Sequence, residues 1–149
     1  MINLVTDSAA KTKELAYKLG KLVDAKTLII MTGDLGAGKT TFTQGLALGM
    51  GITKTVTSPT FTIMKIYKNK LPLYHIDAYR LEGISQDLGL EEMMDDDGVC
   101  VIEWPLFIDD RLPKEYINVD LKWLSENERA ISISAVGKRY QRLLEDLSC

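Results

Sequence analysis

The sequence predicts an α/β domain built on a mixed central β-sheet flanked by helices. Three observations carry that expectation. First, a short apolar run, Thr27-Leu28-Ile29-Ile30-Met31-Thr32, leads directly into the Gly-rich stretch Gly33-Asp34-Leu35-Gly36-Ala37-Gly38-Lys39-Thr40. Residues 41–50 follow, where Phe42, Leu46 and Met50 recur every four residues, the spacing of one helix face. Second, Val99-Cys100-Val101-Ile102 is a continuous apolar run, the pattern of a strand buried on both faces. Third, residues 116–121 and 130–136 alternate with period two and read as an antiparallel pair turning through Ser125-Glu126-Asn127-Glu128. Helix–strand units mixed with hairpins give an α/β fold with a mixed sheet.

The elements follow in order. Thr6, Asp7 and Ser8 are N-cap candidates for an amphipathic first helix. Leu15, Leu19 and Leu22 form its apolar side, Lys11, Lys13, Lys18 and Lys21 lie largely on the other faces, and it ends near Asp24. The run at 27–32 is the first expected strand, and the helix behind the Gly-rich stretch stops at Gly49 and Gly51. Thr55-Val56-Thr57 is a short strand candidate ended by Ser58-Pro59. Residues 61–67 and 71–77 are expected to form a hairpin across Lys68-Asn69-Lys70. A helix is expected around 85–94, the buried strand at 99–102 ends before Trp104-Pro105, and a last helix covers 138–147.

The stretch Gly33 to Thr40 matches G-x-x-x-x-G-K-[ST], the phosphate-binding loop of nucleoside triphosphatases. Its glycines allow positive φ and close backbone approach, so that the N–H groups of Asp34, Leu35, Gly36, Ala37 and Gly38 can form an anion-binding nest. Lys39 brings a point charge to the β- and γ-phosphates, the Thr40 hydroxyl can ligate Mg²⁺, and the helix through Thr41 aims its positive end at the phosphates. Strand, loop and helix in this order predict a P-loop NTPase-like three-layer sandwich. The length of 149 residues suggests a single domain, residues 1–149. ATP and Mg²⁺ are the expected ligands.

Mg²⁺ bound with a nucleotide is held by few protein groups, so Thr40 needs a companion carboxylate at a strand end. Two are available. Glu103 closes the apolar run 99–102, like a Walker B acid with Glu in place of the usual Asp, and fits if its strand runs parallel to the loop strand. Asp77 closes Leu73-Tyr74-His75-Ile76. Each can also be a solvated strand-end acid. Ser58-Pro59-Thr60 is either a switch-like loop in which Thr60 senses metal or γ-phosphate, or a proline-punctuated turn. His75, the only histidine, reads as structural. Arg80 and Arg129 can face phosphates or solvent. The acids Glu91, Glu92, Asp95, Asp96 and Asp97 form a solvated helix end or a docking surface for a basic partner. Trp104 can pack under the site or face a partner.

Composition narrows the function. Eighteen Lys and Arg against 21 Asp and Glu give a net charge of −3, unlike the basic stripe of a stand-alone nucleic-acid binder. Only Cys100 and Cys149 are present, so neither a disulfide framework nor a zinc site is expected. The N-terminus lacks a signal-peptide pattern, and no apolar run is long enough to span a membrane. The cytoplasm is the expected compartment. No N-K-x-D guanine motif, acceptor insertion or Arg-rich lid is visible. These absences favour a slow nucleotide hydrolase or switch; a nucleotide-dependent binding module and a small phosphotransferase are the alternatives.

Four stretches in series, Gly33 to Thr41, Ser58-Pro59-Thr60-Phe61-Thr62, His75-Ile76-Asp77-Ala78-Tyr79-Arg80-Leu81 and Val101-Ile102-Glu103-Trp104-Pro105, resemble the TsaE family, formerly the YjeE family. These are small bacterial ATPases needed to make threonylcarbamoyladenosine in tRNA. The resemblance covers nearly the whole chain, with no departure at the motif positions. It implies a weak ATPase activated by the TsaB–TsaD pair. TsaD transfers the threonylcarbamoyl group to tRNAs reading codons that begin with A, and ATP hydrolysis resets the complex. tRNA would be met only through that complex. The resemblance further implies that Lys39 binds phosphate and that Thr40 and Glu103 hold Mg²⁺. Asp77 and Thr60 would serve hydrolysis or nucleotide sensing, Trp104 would support the site or the partner interface, and Arg129 would contact nucleotide.

Overall fold

Ser8 starts the first helix as its cap: its backbone is extended and its side-chain oxygen accepts the Lys11 amide at 3.1 Å. The computed structural model describes residues 2–33, 38–56, 64–77, 97–103 and 115–148. In chain order the elements are β1 (Ile2–Thr6), α1 (Ala9–Leu22), β2 (Leu28–Gly33), α2 (Lys39–Gly49), β3 (Met64–Tyr67), β4 (Leu73–Asp77), β5 (Val99–Glu103), β6 (Tyr116–Trp123), β7 (Arg129–Val136) and α3 (Lys138–Ser148). The strands form one mixed seven-stranded sheet in the order β1-β7-β6-β2-β5-β4-β3. Its centre, β6-β2-β5-β4, is parallel, and antiparallel pairs close both sides. The expected α/β fold with a mixed central sheet is thus observed.

Alternation along each strand explains where the core sits. Ile29 and Met31 of β2, Val99 and Val101 of β5, Ile117, Val119 and Leu121 of β6, and Ile131 and Ile133 of β7 share one buried cluster with the helices. Ala16 and Leu19 come from α1, Phe42 and Leu46 from α2, and Tyr140, Leu143, Leu144 and Leu147 from α3. The three described helices therefore cover one face. Ile30, Ile76, Cys100 and Ile102, of opposite parity, are buried too, as the continuous apolar runs require. The helix expected at 85–94 lies outside the described residues. Among the described residues no helix is long and apolar enough to cross a membrane.

Two expectations change. Ile2–Thr6 forms an unexpected strand that pairs antiparallel with β7 at the sheet edge. Its alternation spans only five residues, and its partner lies at the other end of the sequence. Thr55 and Val56, in contrast, form no strand; the Val56 carbonyl instead accepts the Gln44 side-chain amide at 2.8 Å, so this segment is pinned to α2. Thr57 lies outside the described residues, as does the part of the expected strand before Met64.

At the end of the sheet where β2 begins, α3 holds the incoming chain. Tyr140 Oη accepts the Leu28 amide at 3.0 Å and donates to the Lys26 carbonyl at 3.1 Å. Arg139 bonds Asp24 and the Ala25 carbonyl. Partial burial alone would raise the Asp24 carboxyl, but the hydrogen bond and charge of Arg139 hold it below its ordinary value.

On the helical face α1 and α2 meet backbone to backbone. A Cβ on Gly45 would stand 2.4 Å from the Lys13 carbonyl oxygen, and one on Gly49 would stand 2.2 Å from that of Tyr17. Glycine inside a helix ordinarily costs about 1 kcal/mol relative to alanine, so packing, not propensity, accounts for Gly45. Gly45→Ala is expected to lower stability by roughly 1–3 kcal/mol through overpacking, measured by denaturant unfolding; a gain in stability would show that the helices separate freely. Cys100 is buried, and burial pushes its thiol up to about 12. Iodoacetamide at pH 8 is expected to leave Cys100 unmodified in the folded protein and to label it after unfolding, as read by peptide mass spectrometry.

Candidate functional site

In a parallel pair the strands run the same way, so their C-terminal ends meet at one edge of the sheet. Here that edge carries the sequence-predicted chemistry. β2 pairs with β5 so that Met31 stands opposite Glu103, and β5 pairs with β4 so that Glu103 stands opposite Asp77. Met31, Glu103 and Asp77 thus form one row with neighbouring strands about 4.8 Å apart. Gly33, where the Gly-rich stretch begins, lies two residues beyond Met31, roughly 6.6 Å further along the strand. The parallel orientation required of Glu103 is therefore present, and Asp77 shares the row.

The loop is framed from both sides. Gly33 closes β2 with φ 139°, and Gly38 precedes α2 with φ 96° and ψ 22°, both in the region that favours glycine. Among the described residues nothing stands within 4 Å of a Cβ built on Gly38. Lys39 opens α2, is 8% exposed, and its Nζ donates to the Gly33 carbonyl at 3.1 Å, tethering the ammonium across the mouth of the loop. Thr40 and Thr41 follow in the first turn, both half-buried. The buried Thr43 hydroxyl donates to the Lys39 carbonyl at 3.0 Å and lies 3.5 Å from Met31 Sδ. That contact seats the first turn of α2 on β2. The helix's first N–H groups and the positive end of its dipole face the loop.

Glu103 is 5% exposed and His75 0%. His75 Nε2 and Glu103 Oε1 are 3.2 Å apart, diagonally across β4 and β5; since a carboxylate only accepts, Nε2 is the donor. His75 Nδ1 has no hydrogen-bond partner among the described residues. The residue expected to be merely structural thus touches a candidate metal ligand. Its position two residues before Asp77, on the same side of β4, was the available signal; the β4–β5 register that makes the contact is not written in the sequence.

Arg129 begins β7 at the same end of the sheet, opposite Trp123 of β6 and Thr6 of β1. Its Nη1 donates to the carbonyls of Ser125 at 2.6 Å and Glu128 at 2.9 Å, and its guanidinium lies 5.9 Å from the Trp123 ring. The structure therefore places it on the same edge, engaged with the β6–β7 turn. Asp34, Leu35, Gly36, Ala37, Thr60, Arg80 and Trp104 lie outside the described residues. Among the described residues no group of three or more His, Cys, Asp or Glu side chains could hold a metal ion. Among the described residues, the Thr40 hydroxyl in the first turn of α2 and the Glu103 carboxylate at the end of β5 are hard oxygen donors of the kind that suits Mg²⁺ shared with phosphate and water. Chemically, the arrangement offers N–H donors and an ammonium to a polyanion and, one strand away, a carboxylate to a cation.

A parallel sheet edge, a glycine-framed loop and a helix-borne lysine define an α/β protein of the phosphate-loop class. Comparison with known proteins narrows this. The family described as threonylcarbamoyl adenosine biosynthesis protein TsaE matches residues 6–131. The tRNA threonylcarbamoyladenosine biosynthesis protein TsaE of Bacillus subtilis is 46% identical over 144 residues, 96% of this chain and 91% of that protein. The protein of the same name from Treponema pallidum is 39% identical over 132 residues, 87% of this chain and 98% of its own. The crystal structure of Bacillus subtilis YdiB superposes with a TM-score of 0.85 at 40% identity, covering 99% of this chain and 93% of that one. The chain belongs to the TsaE family.

The two framing glycines differ in a way that can be measured. Gly33→Ala combines positive φ with a Cβ 2.1 Å from the Leu121 carbonyl oxygen, whereas Gly38→Ala meets only the conformational cost, roughly 1–2 kcal/mol. Thermal unfolding is expected to rank Gly33→Ala clearly below Gly38→Ala; equal losses would contradict the close β2–β6 approach.

Proposed function

We propose that this chain is an ATP-binding protein with weak, partner-activated, Mg²⁺-dependent ATPase activity. It acts in the biosynthesis of threonylcarbamoyladenosine in tRNAs that read codons beginning with A. The observation that carries this reading is the parallel register that sets Glu103 beside the end of the loop strand, opposite Met31, with Lys39 held at Gly33. Family membership and the matching names of the relatives supply the pathway.

In this reading the backbone of residues 34–38 and the Lys39 ammonium bind and neutralise the β- and γ-phosphates. The Thr40 hydroxyl and the Glu103 carboxylate hold Mg²⁺, which supplies charge neutralisation on the phosphate oxygens. Asp77, in register with Glu103, orients the attacking water, and Thr60 senses the γ-phosphate. Arg129, on the same edge, contributes a nucleotide contact. Water attacks the γ-phosphorus, the bond to the β–γ bridging oxygen breaks, and ADP and phosphate leave. Catalysis is then positioning and electrostatics.

TsaB and TsaD are the proposed partners and tRNA is met only through them, which suits a chain of net charge −3. The cytoplasm is the proposed compartment. The test is Mg²⁺-dependent ATP hydrolysis by the chain alone and with its organism's TsaB and TsaD. A slow rate that rises sharply with the pair is expected. Lys39→Ala and Glu103→Ala are each expected to cut the stimulated rate about 100-fold or more with the fold retained by circular dichroism. An unstimulated rate, or normal turnover in either variant, would overturn the reading.

A further inference from the structure

We propose that His75 is the positioning residue for Glu103. Its Nε2–H fixes the carboxylate through Oε1 so that the side chain is already oriented when a divalent cation arrives. The inference rests on the Mg²⁺–ATP reading above.

Three observations support it. His75 is fully buried in a parallel strand, and its register partner is the fully buried Val101; an apolar residue would suit the packing as well. Its only hydrogen bond among the described residues is to Glu103, and Nδ1 has none. A buried polar atom left unpaired is unfavourable, so packing alone does not account for an imidazole here. Finally, the acid at the end of β5 is Glu rather than the shorter Asp usual at this kind of site. Glutamate has one more rotatable bond, hence more freedom to lose on binding a cation. A donor at 3.2 Å on Oε1 removes that freedom in advance, and because the two oxygens share one plane, Oε2 is set with it. Ligating carboxylates are commonly held in this way by a neighbour, and loss of the neighbour typically costs 10–100-fold in metal affinity.

The test compares two amides of similar polarity and different reach. In His75→Gln the amide nitrogen stands close to the position of Nε2, whereas in His75→Asn it reaches only the position of Nδ1. ATP binding to the full chain is measured by calorimetry with Mn²⁺ and with EDTA, and the ratio of the two affinities reports the cation alone. His75→Gln is expected to keep the wild-type ratio within about threefold, and His75→Asn to lower it about tenfold or more. Neither should alter the affinity in EDTA. His75→Leu, apolar and of similar volume, has no donor at all and is expected to lower the ratio as Asn does, which keeps the comparison with Gln where Asn fails to fold. Equal ratios for Gln and for Asn or Leu, or an EDTA affinity that falls with the Mn²⁺ affinity, would overturn the proposal. Wild-type protein that binds no ATP in either condition would overturn the ATPase reading itself.

Discussion

The parallel hydrogen-bonded register of β2, β5 and β4 is the constraint on which the candidate site depends. Each of these strands carries one element of the chemistry at its C-terminal end, and none is near the others in sequence. Only the pairing of Met31 with Glu103 and of Glu103 with Asp77 brings them to one row. A slip of one residue in either pair would turn Glu103 or Asp77 to the opposite face of its neighbour. The burial of β5 on both faces opposes such a slip, since five consecutive buried side chains must each find their own partners.

The helices hold the same edge from one side. α2 is seated on β2 by Thr43 and carries Lys39 back to Gly33. Its backbone contact with α1 at Gly45 and Gly49 leaves little room for α2 to shift without moving α1. At the far end of β2 the clamp by Tyr140 and Arg139 fixes where the strand begins. The strand that delivers the chain into the loop is thus held at both ends, which suits a site that works by preorganised charge.

Much of this was legible in the sequence, and what was not has a physical reason. Gly33 to Thr40 is local: one contiguous stretch contains the strand end, the loop and the helix start. The run Val99 to Ile102 announced a strand buried on both faces, and the alternation at 116–121 and 130–136 announced the antiparallel pair. The five-residue β1 exists because β7 offers it an edge, a fact of tertiary pairing. Val56 looked like strand because it is β-branched and apolar, yet its backbone bonds a side chain. His75 escaped because side-chain neighbours across parallel strands are set by register, which no spacing within one strand reveals. Arg129 stands at the same edge, and its bonds to the turn carbonyls depend on a hairpin geometry that the sequence only outlines.

The His75–Glu103 pair also bears on how stability and function divide within the sheet. Most other buried side chains of the sheet are apolar, whereas here a carboxylate and an imidazole are taken out of water with one hydrogen bond between them. Such a pair is a weak source of stability, because desolvation of the carboxylate offsets most of what the bond returns. On the proposed reading the cation supplies further compensation for the buried Glu103 carboxylate. Nucleotide and cation would then bind the folded state alone and stabilise it by mass action. A fold that keeps this pair in an otherwise apolar strand gives up some stability at the position where the bound state needs a charge.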